Sequence, residues 1–333
     1  MINDGKRLLH VKTKPKIAVS ACLIGQNVRH DGTNAEFQPL SQDWARDYDL
    51  IHTCPELEVG LGVPRSETKL VKFENKISLI DSKNGDNYTE MMLQYAQTQS
   101  DYLIEAGICG FVFKSGSASC GLSGVSVQMH HDKTTSTYGK GLFAMVFTTL
   151  NPHIPVIEEN LLKNHIQAEH YLSRVAFFND WQLFGKDGWT IERINRFHLE
   201  NEYFFLSVAP ELFNLLNKLI INLTNENAHP ETIALEYMTK AQKSLSITSR
   251  KGAIANTMEL VLGSLSEHLS VSEMQEMVGL IDGFRTGKLP SNTPVMLLNQ
   301  YIQTYQLKDK SIERFISSIP IEMEFSKQIQ KNT

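Results

Sequence analysis

Strand-like and helix-like stretches alternate through the first 160 residues of this chain, and then the strands stop. KIAVSAC (16–22), DLIHTC (49–54), KISLID (76–81) and GFVFKS (110–115) are short, rich in Val, Ile and Phe, and bounded by polar residues or glycine. Those are the marks of buried strands. YTEMMLQYAQTQSDYLIEAG (88–107) has helical spacing instead, with Met91, Met92, Tyr95, Tyr102 and Leu103 able to share a face and Gly107 as its stop. GLFAMVFTTLNP reads as a second helix and PVIEE as a further strand. Such alternation predicts an α/β fold, a mostly parallel sheet with flanking helices.

Beyond residue 160 the pattern is helical. NLLKNHIQAEHYLSRVAFFNDW reads as a connecting helix, and GKDGWT (185–190) as a boundary with Asp187 as an N-cap. WTIERINRFHLENEYFFLS, PETIALEYMTKAQKSL, SRKGAIANTMELVLGSLSEHL, SVSEMQEMVGLIDGFRTG, PVMLLNQYIQTY and KSIERFISSI follow as helices, punctuated by Pro and Gly. The expected organisation is an α/β domain over 1–160, a helical linker over 161–187 and an all-α domain over 188–330.

Apolar residues make up 41% of the chain and charged ones 21%, as in soluble globular proteins. The net charge of −5 gives no general pull toward nucleic acid, so no DNA partner is expected. Any RNA contact must be a local basic patch. The start, MINDGKRLLHVKTKPK, lacks the apolar core of a signal peptide, and no apolar run nears the ~18 residues of a membrane helix. The expectation is a cytoplasmic protein without membrane contact. Four cysteines are too few for a disulfide framework at this length, which leaves buried hydrophobes, metal ligands or nucleophiles.

Three of the four close a strand or follow one directly. Cys22 ends KIAVSAC, Cys54 ends DLIHTC, and Cys120 lies in KSGSASCG just after GFVFKS. Loops at the carboxyl ends of parallel strands converge on one crevice, so the three can meet there. Cys109 precedes its strand and falls at the opposite edge, as a small buried hydrophobe. Three thiolates suit a Zn²⁺ ion with one position open, or an iron–sulfur cluster with three cysteine ligands. Spacing does not choose between these, nor exclude three ordinary buried cysteines. CGLSGVS has Ser126 where a C-x₅-R phosphatase loop needs arginine, and GLGVPR (60–65) lacks the third glycine of a dinucleotide fingerprint. His130, His131 and Asp132 read as a solvated loop.

VSACLIGQNVRHDG, CPELEVGLGVPR, KSGSASCG and GKGLFA occur in the order seen in the thiouracil desulfidase family, and residues 16 to about 158 resemble it. RFH (196–198), RKGAIAN (250–256) and GKLP…TPVMLL (287–298) resemble the YbgA-like domain often fused to it. The pair together looks like the bacterial tRNA 4-thiouridine desulfidases. Ala118 stands where that family usually has proline, Gly116 where arginine is common, and His30 where tyrosine is usual. Leu260 replaces a histidine of the helical domain, which puts any role of that histidine in doubt here.

The resemblance implies a [4Fe-4S] cluster on Cys22, Cys54 and Cys120 with one iron open to a thiocarbonyl sulfur. The net reaction would be hydrolysis to uracil and sulfide. Glu56, two residues after Cys54, is then the first candidate general acid/base and Asp31 the second. Glu56 reads equally well as a structural carboxylate paired with Arg65. Ser117 and Ser119 would orient the base or the attacking water, or else form a tight turn. Arg29, Arg65 and Lys114 would offset the cluster charge or hold phosphate. For tRNA, Arg250, Lys251, Arg285 and Lys288, with Arg193 and Arg196, form a candidate patch, while Tyr203, Phe204 and Phe205 read as core. Two rivals remain: a desulfidase of free thiouracil or thionucleosides, and a zinc-bound module without activity.

Overall fold

The computed structural model describes residues 14–74, 76–129, 136–246 and 251–319. Its strands are β1 (Lys16–Ser20), β2 (Asp49–Thr53), β3 (Thr68–Phe73), β4 (Lys76–Asp81), β5 (Ile108–Phe113), β6 (Val125–Met129), β7 (Ser136–Gly139) and β8 (Val156–Glu158). Its first helices are α1 (Ala45–Asp47), α2 (Pro55–Glu58), α3 (Thr89–Glu105), α4 (Leu142–Leu150) and α5 (His165–Phe184). Eight more follow: α6 (Ile191–Glu200), α7 (Glu202–Val208), α8 (Pro210–Asn225), α9 (Pro230–Leu245), α10 (Lys251–Ser264), α11 (Val271–Arg285), α12 (Asn292–Thr304) and α13 (Lys310–Ser318). The chain divides into two compact units, the first ending at Leu183 and the second running on from Phe184.

In the first unit β2, β1, β5 and β8 form, in that order, a wholly parallel sheet. A parallel sheet covered on both faces needs strands that are apolar on both sides. That is why KIAVS and ICGFVF are almost entirely buried. Side chains alternate along β5. Phe111 and Phe113 meet Phe143 and Phe147 of α4 on one face. Gly110 faces α5 on the other, where a Cβ would press on Val175 at 2.8 Å. The helix expected to connect two domains therefore packs against this sheet. Gln182 also donates to the carbonyl of Ile108 at 3.1 Å.

The second sheet was not foreseen. β4 does not extend the parallel sheet, as KISLID suggested, but pairs antiparallel with β3, and the order is β4-β3-β6-β7. Leu70, Leu79, Val125 and Val127 form its buried side. A short apolar run shows that a strand exists but not which sheet it joins. Helix α3 buries Met92, Ala96, Ser100 and Leu103, while Met91 and Tyr102 are exposed, so the true stripe lies about a quarter-turn from the expected one. Gly107 does end it, at a φ of 76° that favours glycine.

The second unit is all-helical, as predicted. Its first N-cap is Thr190, which accepts from the Arg193 N–H at 3.2 Å, and Asp187 instead lies 3.9 Å from the Arg193 guanidinium. Ser270 and Glu273 cap α11 reciprocally, and Asp309 caps α13. Helix α8 was not singled out in the sequence. Phe204 and Phe205 are buried and Tyr203 packs against the core, as expected. No helix among the described residues is long and apolar enough to cross a membrane.

Candidate functional site

All four parallel strands end at one edge, and the three chosen cysteines lie there. Cys22 sits in a 3-10 turn, Ala21–Ile24, that begins where β1 stops. Cys54 follows β2 at the N-cap position of α2. Cys120 lies seven residues past β5 and is buried. All are free thiols. Burial pushes Cys22 up to about 11, helped by charge on Cys54 and opposed by Lys114 and Arg29. Burial likewise raises Cys54, against the backbone N–H of Leu57, with Glu56 adding to the rise. Cys120 is raised well above the ordinary thiol range by burial, then by Glu56, Cys22 and Cys54. Cys54 acts on Cys22, and both act on Cys120, so the three share one electrostatic neighbourhood. A nucleophilic cysteine has a lowered pKa, and these are raised. Crowded thiols of this kind become thiolates beside a strong positive charge such as a metal.

Two carboxylates at the end of β8 clasp the Cys120 loop. Glu159 accepts from Ser115 N–H and Lys114 Nζ at 2.6 Å and from Ser115 Oγ at 2.8 Å. Glu158 accepts from the Leu122 and Ser123 N–H groups at 2.7 and 3.3 Å. Between them, the first turn of α4 holds the loop from below. Leu142 N–H donates to Ala118 O at 2.9 Å, and Ala144 N–H to Ser119 O at 3.0 Å. Glu158 and Glu159 escaped the sequence reading, where PVIEE registered only as a strand. Burial raises the Glu159 carboxyl, but hydrogen bonds from Lys114 and Ser115 outweigh it and the net shift is downward. Its contribution is therefore full above the unfolded carboxylate pKa of about 4.3 and is lost as pH falls through the lower folded value. Glu159→Gln is expected to cost up to about 3 kcal/mol at pH 7, since it breaks a mostly buried pair. Thermal unfolding across pH should show this cost shrinking below pH ~4.

Glu56 links two of the cysteine loops. Its Oε1 accepts from Ser119 Oγ at 2.9 Å and Thr68 Oγ1 at 3.3 Å, and its Oε2 from Arg65 at 2.5 and 3.2 Å. Arg65 also donates to Gly62 O at 2.8 Å and Val28 O at 3.1 Å. With its side chain only 7% exposed, Arg65 is a buried brace for three loops and has little left for a substrate phosphate. Lys114 is likewise occupied by Glu159 and Ser115, though its charge reaches Cys22. Ser117 Oγ accepts from the N–H groups of Ser119 and Cys120, at 3.2 and 3.1 Å, so it closes a turn. Ser119 is the serine that faces Glu56.

Asp31 lies in an exposed turn. Its Oδ1 accepts from the N–H and hydroxyl of Thr33, and these bonds hold its carboxyl below the usual range. Arg29 lies 3.8 Å from it and also acts on Cys22. Cys109 is buried at the start of β5, with Gln182 Oε1 at 3.1 Å and Asn179 Oδ1 at 3.4 Å. Tyr95 was read only as part of a helix face. Its hydroxyl is 2.7 Å from Thr53 Oγ1, and burial pushes it up to about 12 with Glu58, Cys54 and Cys120 adding. A helix-periodic tyrosine gives no sign of that position.

In the candidate basic patch of the second unit, Arg285 is held by carboxylates. Arg285 pairs with Glu259 at 2.7 Å and Asp282 at 2.8 Å. Lys251 Nζ lies over the Phe284 ring at 5.8 Å. Lys288 is in the turn after α11, its N–H bonded to Gly283 O. Arg193 donates to Gly188 O, and Arg196 lies over the Phe184 ring. Arg250, like His130, His131 and Asp132, lies outside the described residues. His198 of RFH is buried, stacked on Phe213 and 3.2 Å from Tyr237 Oη, so this motif serves the core. Leu260 is exposed on α10.

One buried and two partly buried cysteines thus lie at the carboxyl edge of the parallel sheet. Comparison with known proteins finds family matches for two regions of the chain. Residues 17–159 match the family described as 2-thiouracil desulfurase, and residues 202–320 one described as a protein of unknown function, DUF1722. The chain thus joins a 2-thiouracil desulfurase domain to a DUF1722 domain. The uncharacterized protein YbbK of Bacillus subtilis (strain 168) is 26% identical over 110 residues, 32% of this chain and 72% of that one. The solved structure of a [4Fe-4S]-dependent thiouracil desulfidase, TudS, is 27% identical. It matches 45% of this chain and 94% of its own, with a TM-score of 0.36.

Proposed function

We propose that this protein is an iron–sulfur-dependent desulfidase that converts 4-thiouridine in tRNA to uridine, releasing hydrosulfide. The observation that carries the reading is the convergence of Cys22, Cys54 and Cys120, with the Glu56–Ser119 hydrogen bond between the second and third. The three cysteines are the donors a cluster would use. Among the described residues no three His, Cys, Asp or Glu side chains are grouped to hold one metal ion. A [4Fe-4S] cluster asks less, because it offers each thiolate its own iron. Lys114 and Arg29 supply positive charge beside Cys22.

When bound, the cluster supplies a Lewis-acidic iron that polarises the C=S bond. The rest falls to the chain. Ser119, fully buried, holds the Glu56 carboxylate through its hydroxyl, and Glu56 takes the proton lost by the water that adds at the base carbon. Arg65 fixes the carboxylate in that position. The C–S bond breaks, a C=O bond takes its place, and sulfur leaves as hydrosulfide. Water is the only co-reactant and no net electron is transferred. Acting on tRNA, the protein would work in the cytoplasm, and the thiolated base must leave the stack to reach the crevice.

Anaerobically reconstituted protein should release sulfide from thiolated tRNA, followed by loss of the thiouridine absorbance. Sulfide release from free 4-thiouridine or thiouracil alone would sink the tRNA assignment and leave a small-molecule desulfidase. Glu56→Gln is expected to lower kcat by roughly 10²–10⁴-fold while iron content stays unchanged.

A further inference from the structure

We infer that the outer face of the second sheet is a docking surface for an unpaired segment of the RNA substrate, a proposal that rests on the tRNA reading above. Strand residues alternate between faces. With Leu70, Leu79, Val125 and Val127 inside, Lys69, Phe73, Lys76, Ser126 and Tyr138 lie outside. The register sets them in rows. Ile80 pairs with Lys69, Leu70 with Val127 and Ser126 with Tyr138, so Lys69 and Tyr138 share one row across four strands. Phe73 and Lys76 pair two rows further on.

Three features suit this face to RNA. Tyr138 is 78% exposed and Phe73 45%, an unusual display of two aromatic rings on one sheet face. Exposed aromatics on a sheet are platforms on which splayed bases stack, whatever their sequence. The outer-facing positions of β3, β4, β6 and β7 carry two lysines and no carboxylate, in a chain whose net charge is −5. Neither Lys69 nor Lys76 has an ion-pair partner among the described residues. The rows also begin at the crevice. Thr68, one residue before Lys69, bonds Glu56, and Gly141, three residues after Tyr138, lies beneath Ser119. An RNA strand stacked on Tyr138 thereby runs toward the thiols.

The test compares full-length, cluster-loaded Tyr138→Ala and Lys69→Ala/Lys76→Ala proteins with the parent, on thiolated tRNA and on free 4-thiouridine. Tyr138→Ala is expected to raise KM for tRNA about tenfold, the effect of losing one stacked base. The double lysine variant should also lower the salt dependence of tRNA binding by one to two phosphate contacts. Turnover of free 4-thiouridine should not change in either. Unchanged KM and salt dependence for tRNA in both variants, with the parent active on tRNA, overturns the docking face alone. A parent inactive on tRNA but active on the nucleoside overturns the tRNA reading and the face with it. A dimer in sedimentation that Tyr138→Ala dissociates assigns the face to a second copy of the chain and also overturns the proposal.

Discussion

Cys22→Ser, Cys54→Ser and Cys120→Ser should each remove bound iron and desulfidase activity together. The activity loss is expected to be roughly a thousandfold or more, since ligands that act as a unit are not removed piecemeal. The three lie after different strands, yet Cys54 acts on Cys22 and both act on Cys120. Serine is too poor a ligand for iron to replace any one of them. Cys109→Ser is the matched control. Its sulfur faces Gln182 and Asn179 at the far edge of the sheet, acceptors that a serine hydroxyl can also use. It should retain iron and activity at a cost of about 1–2 kcal/mol or less. Iron loss in the Cys109 variant would reassign the ligand set.

Gly141→Ala should be nearly as damaging, although it removes no ligand and no charge. A Cβ at this position would lie 2.5 Å from the Ser119 carbonyl carbon, 2.6 Å from its oxygen and 2.8 Å from Cys120 N. These are backbone atoms, with no flexible side chain to swing away. Either the loop or the first turn of α4 has to move, which disturbs the bonds from Leu142 and Ala144 N–H to the loop carbonyls. Overpacking of this kind costs roughly 1–3 kcal/mol. The larger expected effect is local, because Cys120 N lies within the clash. Iron content of the purified variant should fall well below half that of the parent, while far-UV circular dichroism stays the same. Full iron content in Gly141→Ala would show that the Cys120 loop tolerates a displaced α4.

Much of this site could be read from the sequence because its chemistry lies at strand ends. Cys22, Cys54 and Cys120 each follow a recognisable apolar run, and a parallel sheet brings such ends together. Other parts depend on pairings between distant residues. Glu56 with Arg65 was foreseen as one of two readings, but the Ser119 hydrogen bond across 63 residues was not. Glu158 and Glu159 register as the polar end of a strand until β8 is placed beside β5. Two serines in SGSAS look alike in sequence, yet Ser117 turns to its own backbone and Ser119 to Glu56. The second sheet escaped because β3, β6 and β7 are half-exposed strands with lysine, glutamine and tyrosine on one side. In the helical unit the basic residues could be listed but not their carboxylate partners, so Arg285 looked available when Glu259 and Asp282 hold it.

The most direct measurement is iron and acid-labile sulfide in protein purified without oxygen. The expected result is about four of each per chain, with a broad brown absorption on the order of 400 nm. A colourless protein that folds normally and carries zinc or no metal, yet still desulfurises thiouridine, would contradict the cluster assignment outright.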